Sequence, residues 1–390
     1  MLFRSIRPLE TERADIMVAL GRPLAETITS RRQIPPWPNS SMDGYAVRAV
    51  DTGGKPLMVV GRIAAGTLPD RAIEPGETMR IFTGAPLPDG ADAVVPQEDV
   101  EVQGDRIRIG QRVSSGAFVR PAGEDVQRGD TVLEPGQTIG AAEVGLLATL
   151  GVSQVSVGRR PRVAILSTGN ELADLGAEPG PGQIPNTNTY ALMAQVIEAG
   201  GEPINLGVAP DRMEAIEHRI RSGLSADLLL TSAGVSVGDL DLVKEALTRC
   251  GADLHLWRVS MRPGKPITFG SVGSRPVFGL PGNPVSAMVT FELFVRPALL
   301  KMAGHRVLDR PRIRATTLET IRNLGPRRGY LRVTLHAVDG GYGARLTGEQ
   351  GSAILRSMVL ADGLAVVAGD TVLGPGDPVE VLVLRGLRPR

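Results

Sequence analysis

Lys265 stands between Gly264 and Pro266 in the run Arg262-Pro-Gly-Lys-Pro266, so a rigid turn presents an ammonium group at a fixed place. Three further segments have the texture of oxyanion cradles. Ser167-Thr-Gly-Asn-Glu-Leu172 and Ser232-Ala-Gly-Val-Ser-Val-Gly-Asp-Leu-Asp241 mix glycines with hydroxyls and carboxylates. Gly279-Leu-Pro-Gly-Asn-Pro-Val-Ser-Ala287 sets a glycine-rich turn before the periodic apolar segment Val285–Val295. In that turn Asn283 suits an N-cap and Pro284 the first helical position, where its missing N–H has no intrahelical partner. Free N–H groups at a helix start attract phosphate, carboxylate or another oxyanion. Small residues allow close backbone approach, hydroxyls and N–H groups donate, and Lys265 with Arg262 supplies positive charge. Together they suit a phosphorylated ligand. Neither GxxxxGK[ST] nor GxGxxG occurs, so neither a P-loop NTPase nor a dinucleotide fold is supported.

Acids accompany these loops. Asp239 and Asp241 lie two apart at a helix start, where a cap and a favourable first-turn charge account for Asp239. Asp241 makes the better Mg²⁺ ligand, because Mg²⁺ typically takes one or two carboxylates together with phosphate oxygens. Glu171 has two readings, a functional acid or the back-bonding partner of Thr168 in a Thr-x-x-Glu pattern. Asp211 opens Asp211-Arg-Met-Glu214 and reads as a helix cap. A second set of polar turns lies upstream, in Asn39-Ser-Ser-Met-Asp-Gly-Tyr-Ala-Val-Arg48, Ile81-Phe-Thr-Gly-Ala-Pro86 and Gly123-Glu-Asp125. Singly, each is a turn with a satisfied polar side chain.

The elements that must position these residues follow from composition and pattern. A chain of 390 residues calls for two to four domains. Its 42% hydrophobic and 22% charged residues are those of a folded globular protein. With 3% aromatics, packing rests on Val, Leu, Ile and Ala, while 48 Gly and 30 Pro predict many tight turns. A net charge of +1 supplies no global field to recruit nucleic acid. The single Cys250 excludes an internal disulfide, and four scattered histidines give no zinc spacing. No apolar run reaches the roughly 18 residues of a membrane span, and the start lacks a signal-peptide core, so a cytoplasmic protein is expected.

From about Asp51 to Gly140 short apolar runs alternate with turn pairs such as Glu74-Pro-Gly-Glu77, which predicts a small β module. Ala141–Leu150 reads as a short helix ending at Gly151. From Arg160 to about Gly304 strands alternate with helices. Strands are predicted over 162–167, 204–208, 227–231 and 276–280, and helices over 190–199, 213–221, 240–249 and 285–301. Such alternation predicts a mostly parallel, doubly wound sheet, with the Arg262–Pro266 turn just before its last strand. Ligands of such sheets gather beyond the carboxyl ends of the strands, where the four loops converge. Beyond Arg306 short strands return.

The segments Asn39–Arg48, Thr83–Pro86, Gly123–Asp125, Ser167–Leu172, Gly234–Asp241, Pro263–Pro266 and Gly279–Ala287, in that order over about residues 20–390, resemble the MoeA family. These are molybdopterin molybdenumtransferases, related to the E domain of gephyrin. The resemblance implies a multidomain α/β plus β fold. Residues 1–45 with 139–159 would form an elongated, partly helical subdomain, and 46–138 the β module. Residues 160–305 would form the molybdopterin-binding α/β domain and 306–390 a C-terminal β barrel. It implies a homodimer whose cleft joins the α/β domain of one subunit to the first two subdomains of the other. It also implies a reaction in which adenylylated molybdopterin and molybdate, with Mg²⁺, yield molybdenum-loaded cofactor and AMP. On this resemblance the catalytic set is Asp43, Thr83, Asp125, Glu171, Asp211, Asp241 and Lys265, with Asp241 and Glu171 as metal ligands. The binding set is Ser167, Thr168, Gly169, Gly234, Ser236, Gly238, Arg262, Gly282, Asn283, Ser286 and Ser352.

Departures from the family pattern include Ala233 where Gly is common and Arg262 where Lys is frequent, which exchanges a point donor for a planar fork. Two other functions are compatible with parts of the pattern. One is the molybdopterin adenylyltransferase, which usually occupies a single small domain and also stands as an expected partner. The other is a non-catalytic scaffold of the gephyrin type, against which the acids at 43, 125, 171 and 241 argue.

Overall fold

Residues Arg162–Thr168 form a strand buried from Val163 onward, the pattern of a strand covered on both faces. The chain is seen here in a computed structural model that describes residues 5–233 and 242–386. It divides into two units. One comprises Met1–Ala25, Gly136–Gly140 and Gln154–Arg390, and the other Glu26–Pro135 and Ala141–Ser153.

In the larger unit Arg162–Thr168 lies second in a six-stranded sheet. The spatial order is Glu202–Ala209, Arg162–Thr168, Leu228–Ser232, Arg275–Leu280, Pro266–Val272 and Ala252–Arg258. The first four strands are parallel, and each of the last two runs antiparallel to its inner neighbour. Side chains alternate as strand geometry requires. Val163 and Ile165 pack with Leu192, Val196, Ala287 and Leu299 from the helices Thr187–Glu198, Pro284–Thr290 and Arg296–Ala303. Ala164 and Leu166 pack with Ile216, Ile220, Val243 and Leu247 from Met213–Gly223 and Leu242–Arg249. This is the expected doubly wound domain.

Two expectations change. The Arg262–Pro266 turn does not precede the last strand of the sheet: Pro266–Val272 is itself a strand, hairpinned to Arg275–Leu280. Gly270 and Ser271 dilute its apolar signal. Because this strand runs antiparallel, its beginning, and Lys265 just before it, lie at the carboxyl edge of the parallel strands. The helix expected over 285–301 is interrupted by a π turn, Phe291–Val295. Pro297 explains it, since a proline inside a helix lacks an N–H and its ring collides with the carbonyl four residues back.

The C-terminal strands Arg312–Thr317, Arg328–Val338, Gly341–Leu346, Gly363–Val367 and Pro378–Val383 close into a barrel, because Arg328–Val338 pairs with both Gly341–Leu346 and Gly363–Val367. Val333, Ala344, Ala365 and Val381 fill it. Met261–Arg262 pairs in parallel with Arg328–Gly329, tying the barrel to the lysine turn. In the same unit, Thr11–Asp15 pairs with Gln154–Gly158.

The smaller unit holds the β module, a six-stranded sheet of order Ala93–Pro96, Gly44–Val47, Glu77–Ile81, Pro56–Ile63, Arg106–Arg108 and Glu101–Gln103. It also holds the helix Ala141–Thr149, followed by Gly151 at φ +73°. No described helix is long and apolar enough to cross a membrane.

Candidate functional site

At the carboxyl edge of the α/β sheet a cavity of about 560 Å³ opens among the loops that follow the parallel strands. Glu171, Asn186, Asn188, Ser232, Gly282, Asn283 and Ser286 line it. A second cavity, of about 370 Å³, is bounded by Arg262, Lys265, Arg327, Gln350 and Ser352, and shares Pro266 and Ser286 with the first. One wall of the second is thus α/β domain and the other is barrel. Lys265 and Arg262 are exposed toward solvent, Arg327 is half-buried and Ser286 is buried.

The turn Gly279–Ala287 behaves as its sequence predicts at Pro284, the first residue of a helix. Asn283 occupies the N-cap position, but its side chain makes no capping bond. Its Nδ2 instead donates to Ser352 Oγ at 3.1 Å, and Val285 N–H donates to the Ser352 carbonyl at 3.1 Å. The helix start is thereby bound to the barrel. Behind the barrel wall Arg332 is fully buried. Its Nε donates to Ser357 Oγ at 2.9 Å and its Nη2 to the Gly351 carbonyl at 3.0 Å. Its Nη1 has no acceptor. Burial first, and then repulsion from Arg262, push this guanidinium down to about 10. Among the described residues Arg332 forms no ion pair, and a buried cation facing Arg262 makes a region that an anion would relieve.

The Ser167–Leu172 loop divides its labour. Ser167 is fully buried and its Oγ is bonded to Thr189 Oγ1 at 2.7 Å, so it braces the helix Thr187–Glu198. Thr168 is buried as well. Gly169 has φ +142°, and a Cβ there would collide with the Glu171 carboxylate that folds over it. Asp211 is not a cap, because the helix begins at Met213 with Arg212 at the N-cap. Asp211 instead exchanges two bonds with Asn170: its Oδ2 accepts from Asn170 N–H and its N–H donates to Asn170 Oδ1, both at 3.2 Å. It therefore steadies the loop that carries Glu171. Ala233 has φ +72°, a left-handed conformation that favours glycine. Gly234, Ser236, Gly238, Asp239 and Asp241 lie outside the described residues. Among the described residues no group of three or more His, Cys, Asp or Glu could hold a metal.

In the smaller unit Asp43 Oδ1 accepts from both Thr83 N–H and Thr83 Oγ1 at 2.8 Å. The Thr83 N–H, then its hydroxyl, hold the Asp43 carboxyl below the usual carboxylate range against a small opposing effect of burial; nearby Arg80 helps. Asp125 is exposed, its N–H donating to the Ile34 carbonyl at 2.9 Å.

Several site residues escape a reading by motif. Asn188 Nδ2 donates to Ser232 Oγ at 2.8 Å and to the Gly282 carbonyl at 2.7 Å, so one amide on the helix Thr187–Glu198 ties down the ends of two strands' loops. Asn186 Oδ1 accepts from Thr189 N–H at 3.4 Å and caps the same helix. The signal for both is in Asn186-Thr-Asn188, a cap followed by an amide at the first turn. Arg327 and Gln350 give no local signal, since only barrel closure brings them to the second cavity.

Paired cavities at the carboxyl edge of a doubly wound sheet, one bordered by arginines and a lysine and the other mainly by amides and hydroxyls, define the class as an α/β protein with a polar ligand cleft. The MoeA N-terminal region (domain I and II) matches residues 1–151, a probable molybdopterin binding domain matches 164–301, and the MoeA C-terminal region (domain IV) matches 314–384. The chain belongs to the MoeA family of molybdopterin molybdenumtransferases. It is 39% identical over 388 residues to the molybdopterin molybdenumtransferase of Nostoc sp., covering 96% of this chain and 89% of that one. It is 36% identical over 384 residues to molybdopterin molybdenumtransferase 2 of Mycobacterium tuberculosis, covering 95% and 93%. A crystal structure of the molybdopterin biosynthesis moeA protein from Pyrococcus horikoshii OT3 superposes with TM-score 0.85 at 29% identity, covering 98% of this chain and 97% of that one.

Proposed function

We infer that this chain acts in molybdenum cofactor biosynthesis as a molybdopterin molybdenumtransferase, inserting molybdenum from molybdate into adenylylated molybdopterin with release of AMP. The observation that carries this reading is the second cavity, where Arg262, Lys265 and Arg327 surround Ser286 and Ser352 next to a larger pocket with few charges. Molybdate is a tetrahedral dianion, and guanidinium forks, an ammonium and hydroxyl donors are the groups that bind one. The larger cavity takes the pterin and its pyrophosphate, with Asn188 fixing the Ser232 and Gly282 loops that approach it. Attack on the pyrophosphate by water or a molybdate oxygen demands charge stabilisation more than an activated side-chain nucleophile. Lys265 and the loop N–H groups supply it, so a catalytic Cys or His is not required.

Mg²⁺ belongs to this proposal, with Glu171 and Asp241 as its carboxylates. Glu171 is an exposed carboxylate on the cavity wall, the kind of hard oxygen donor that Mg²⁺ takes alongside phosphate oxygens. When bound, the ion neutralises charge on the pyrophosphate. The remaining acids, Asp43, Asp125 and Asp211, with Thr83, are proposed to serve the same reaction in a homodimer. A cytoplasmic location and supply of substrate by the molybdopterin adenylyltransferase complete the proposal.

The decisive experiment combines the protein with adenylylated molybdopterin, Mg²⁺ and molybdate, and follows AMP and metal-bound pterin. Molybdate-dependent AMP release is the expected outcome. AMP release that is absent, or indifferent to molybdate, sinks the proposal.

A further inference from the structure

The β module carries two arginines for which the reaction as proposed has no role. Arg62 and Arg80 are register partners on the adjacent parallel strands Pro56–Ile63 and Glu77–Ile81, so they leave the sheet side by side from one face. Both guanidinium groups converge on Phe82. The Arg62 Cζ lies 4.6 Å from the centre of that ring and the Arg80 Cζ 5.5 Å. Arg80 is also 4.9 Å from the ring of Tyr45, its register partner on the other side. The Nη2 of Arg80 donates to Gln97 Oε1. Arg62 is exposed, and among the described residues it forms no ion pair.

Like charges opposed across a strand pair are destabilising. Stacking on a shared aromatic ring offsets this in part and also fixes the two forks; Arg62 is exposed, while half-buried Arg80 keeps further N–H groups beside the one that Gln97 takes. The next residue after Phe82 is Thr83, whose N–H and hydroxyl are both taken by Asp43. Asp43, which Arg80 influences, is already engaged by Thr83, and among the described residues neither guanidinium forms an ion pair. A compact anion is the ligand that could accept from two adjacent forks at once.

We propose that Arg62 and Arg80, held on Phe82, form a clip for a phosphate-type tetrahedral oxyanion. The proposal rests on the functional reading above only for the source of that oxyanion, the phosphate of an adenylate or free inorganic phosphate. The ligand is gripped by charge-assisted N–H bonds, with no bond made or broken.

The test uses the full chain labelled with ¹⁵N in arginine, the side-chain Nε–H signals of Arg62 and Arg80 being assigned from Arg62→Gln and Arg80→Gln. Inorganic phosphate, AMP and adenosine are titrated separately. Phosphate or AMP is expected to move both signals saturably while adenosine leaves them in place. If AMP acts well below the concentration at which phosphate does, the source is the nucleotide; equal potency assigns free phosphate. Arg62→Gln is expected to weaken the effect on Arg80 by about tenfold or more, the value of a lost charge-assisted bond, with Arg62→Lys falling between. Signals that ignore both phosphate and AMP overturn the clip and leave the arginines as cross-strand packing. So does an equal response to adenosine. Because no molybdenum chemistry is measured, failure here is separate from failure of the insertion assay.

Discussion

Thr83 gives Asp43 two bonds from a single residue, and that economy makes the pair testable. Replacing Thr83 with Val removes the hydroxyl bond while keeping the N–H bond, so the Asp43 carboxyl should rise toward its ordinary range. A carboxyl depressed in the folded state contributes stability that is complete above its unfolded pKa and fades as pH falls through the lower folded value. In Thr83→Val the fading begins at the same unfolded pKa but is smaller and ends at a higher pH, and any step needing ionised Asp43 loses its acid limb at a higher pH. The carboxyl ¹³C shift of Asp43 against pH, beside the pH profile of AMP release, checks both; coincident curves for wild type and variant would refute the assignment. Ser167 shows the opposite case at this scale. Its hydroxyl sits in a motif suited to a ligand, yet Thr189 already occupies it.

Between elements, the lysine turn and the interrupted helix carry the site. Gly264 has φ +97°, and a Cβ there would lie 2.5 Å from Thr290 Cγ2. Gly264→Ala must therefore push the turn off the helix, and Lys265 with it. Activity should fall by about tenfold or more while far-UV circular dichroism is unchanged, given a strain of roughly 1–2 kcal/mol for an alanine held left-handed. Glu292, buried within the π turn, accepts from Gln195 Nε2 and from Arg310 Nε, each at 2.9 Å. Glu292→Ala would leave Arg310 without its partner and should cost about 3–5 kcal/mol in denaturant unfolding. Local signals made some of this legible. Pro284 announced its helix and Gly151 the end of another, and the buried run at Arg162 announced a central strand. The place of Lys265 was not legible, because it depends on a hairpin whose second partner is Arg275–Leu280. Nor was Arg327, which reaches the cavity only through pairings that close the barrel.

For the whole molecule, the proposed homodimer predicts complementation. If Asp43 of one copy serves the cavities of another, neither Asp43→Asn nor Lys265→Ala should turn over alone, yet co-refolded mixtures should regain activity. With random pairing in a symmetric dimer the recovery is on the order of a quarter of wild type. Recovery no greater than the sum of the two variants would exclude a shared site. The pairing of Thr11–Asp15 with Gln154–Gly158 bears on how such a molecule is made. Asp15 and its partner Gln154 are separated by 139 residues. At about 5–20 residues per second of synthesis, the first strand leaves the ribosome on the order of ten seconds before its mate exists. Throughout that interval it is an unpaired edge, open to pairing with any neighbouring chain. Its sequence, Thr-Glu-Arg-Ala-Asp, commits one small apolar side chain to the interior and leaves the rest exposed. A strand so charged can wait in solution without recruiting a wrong partner.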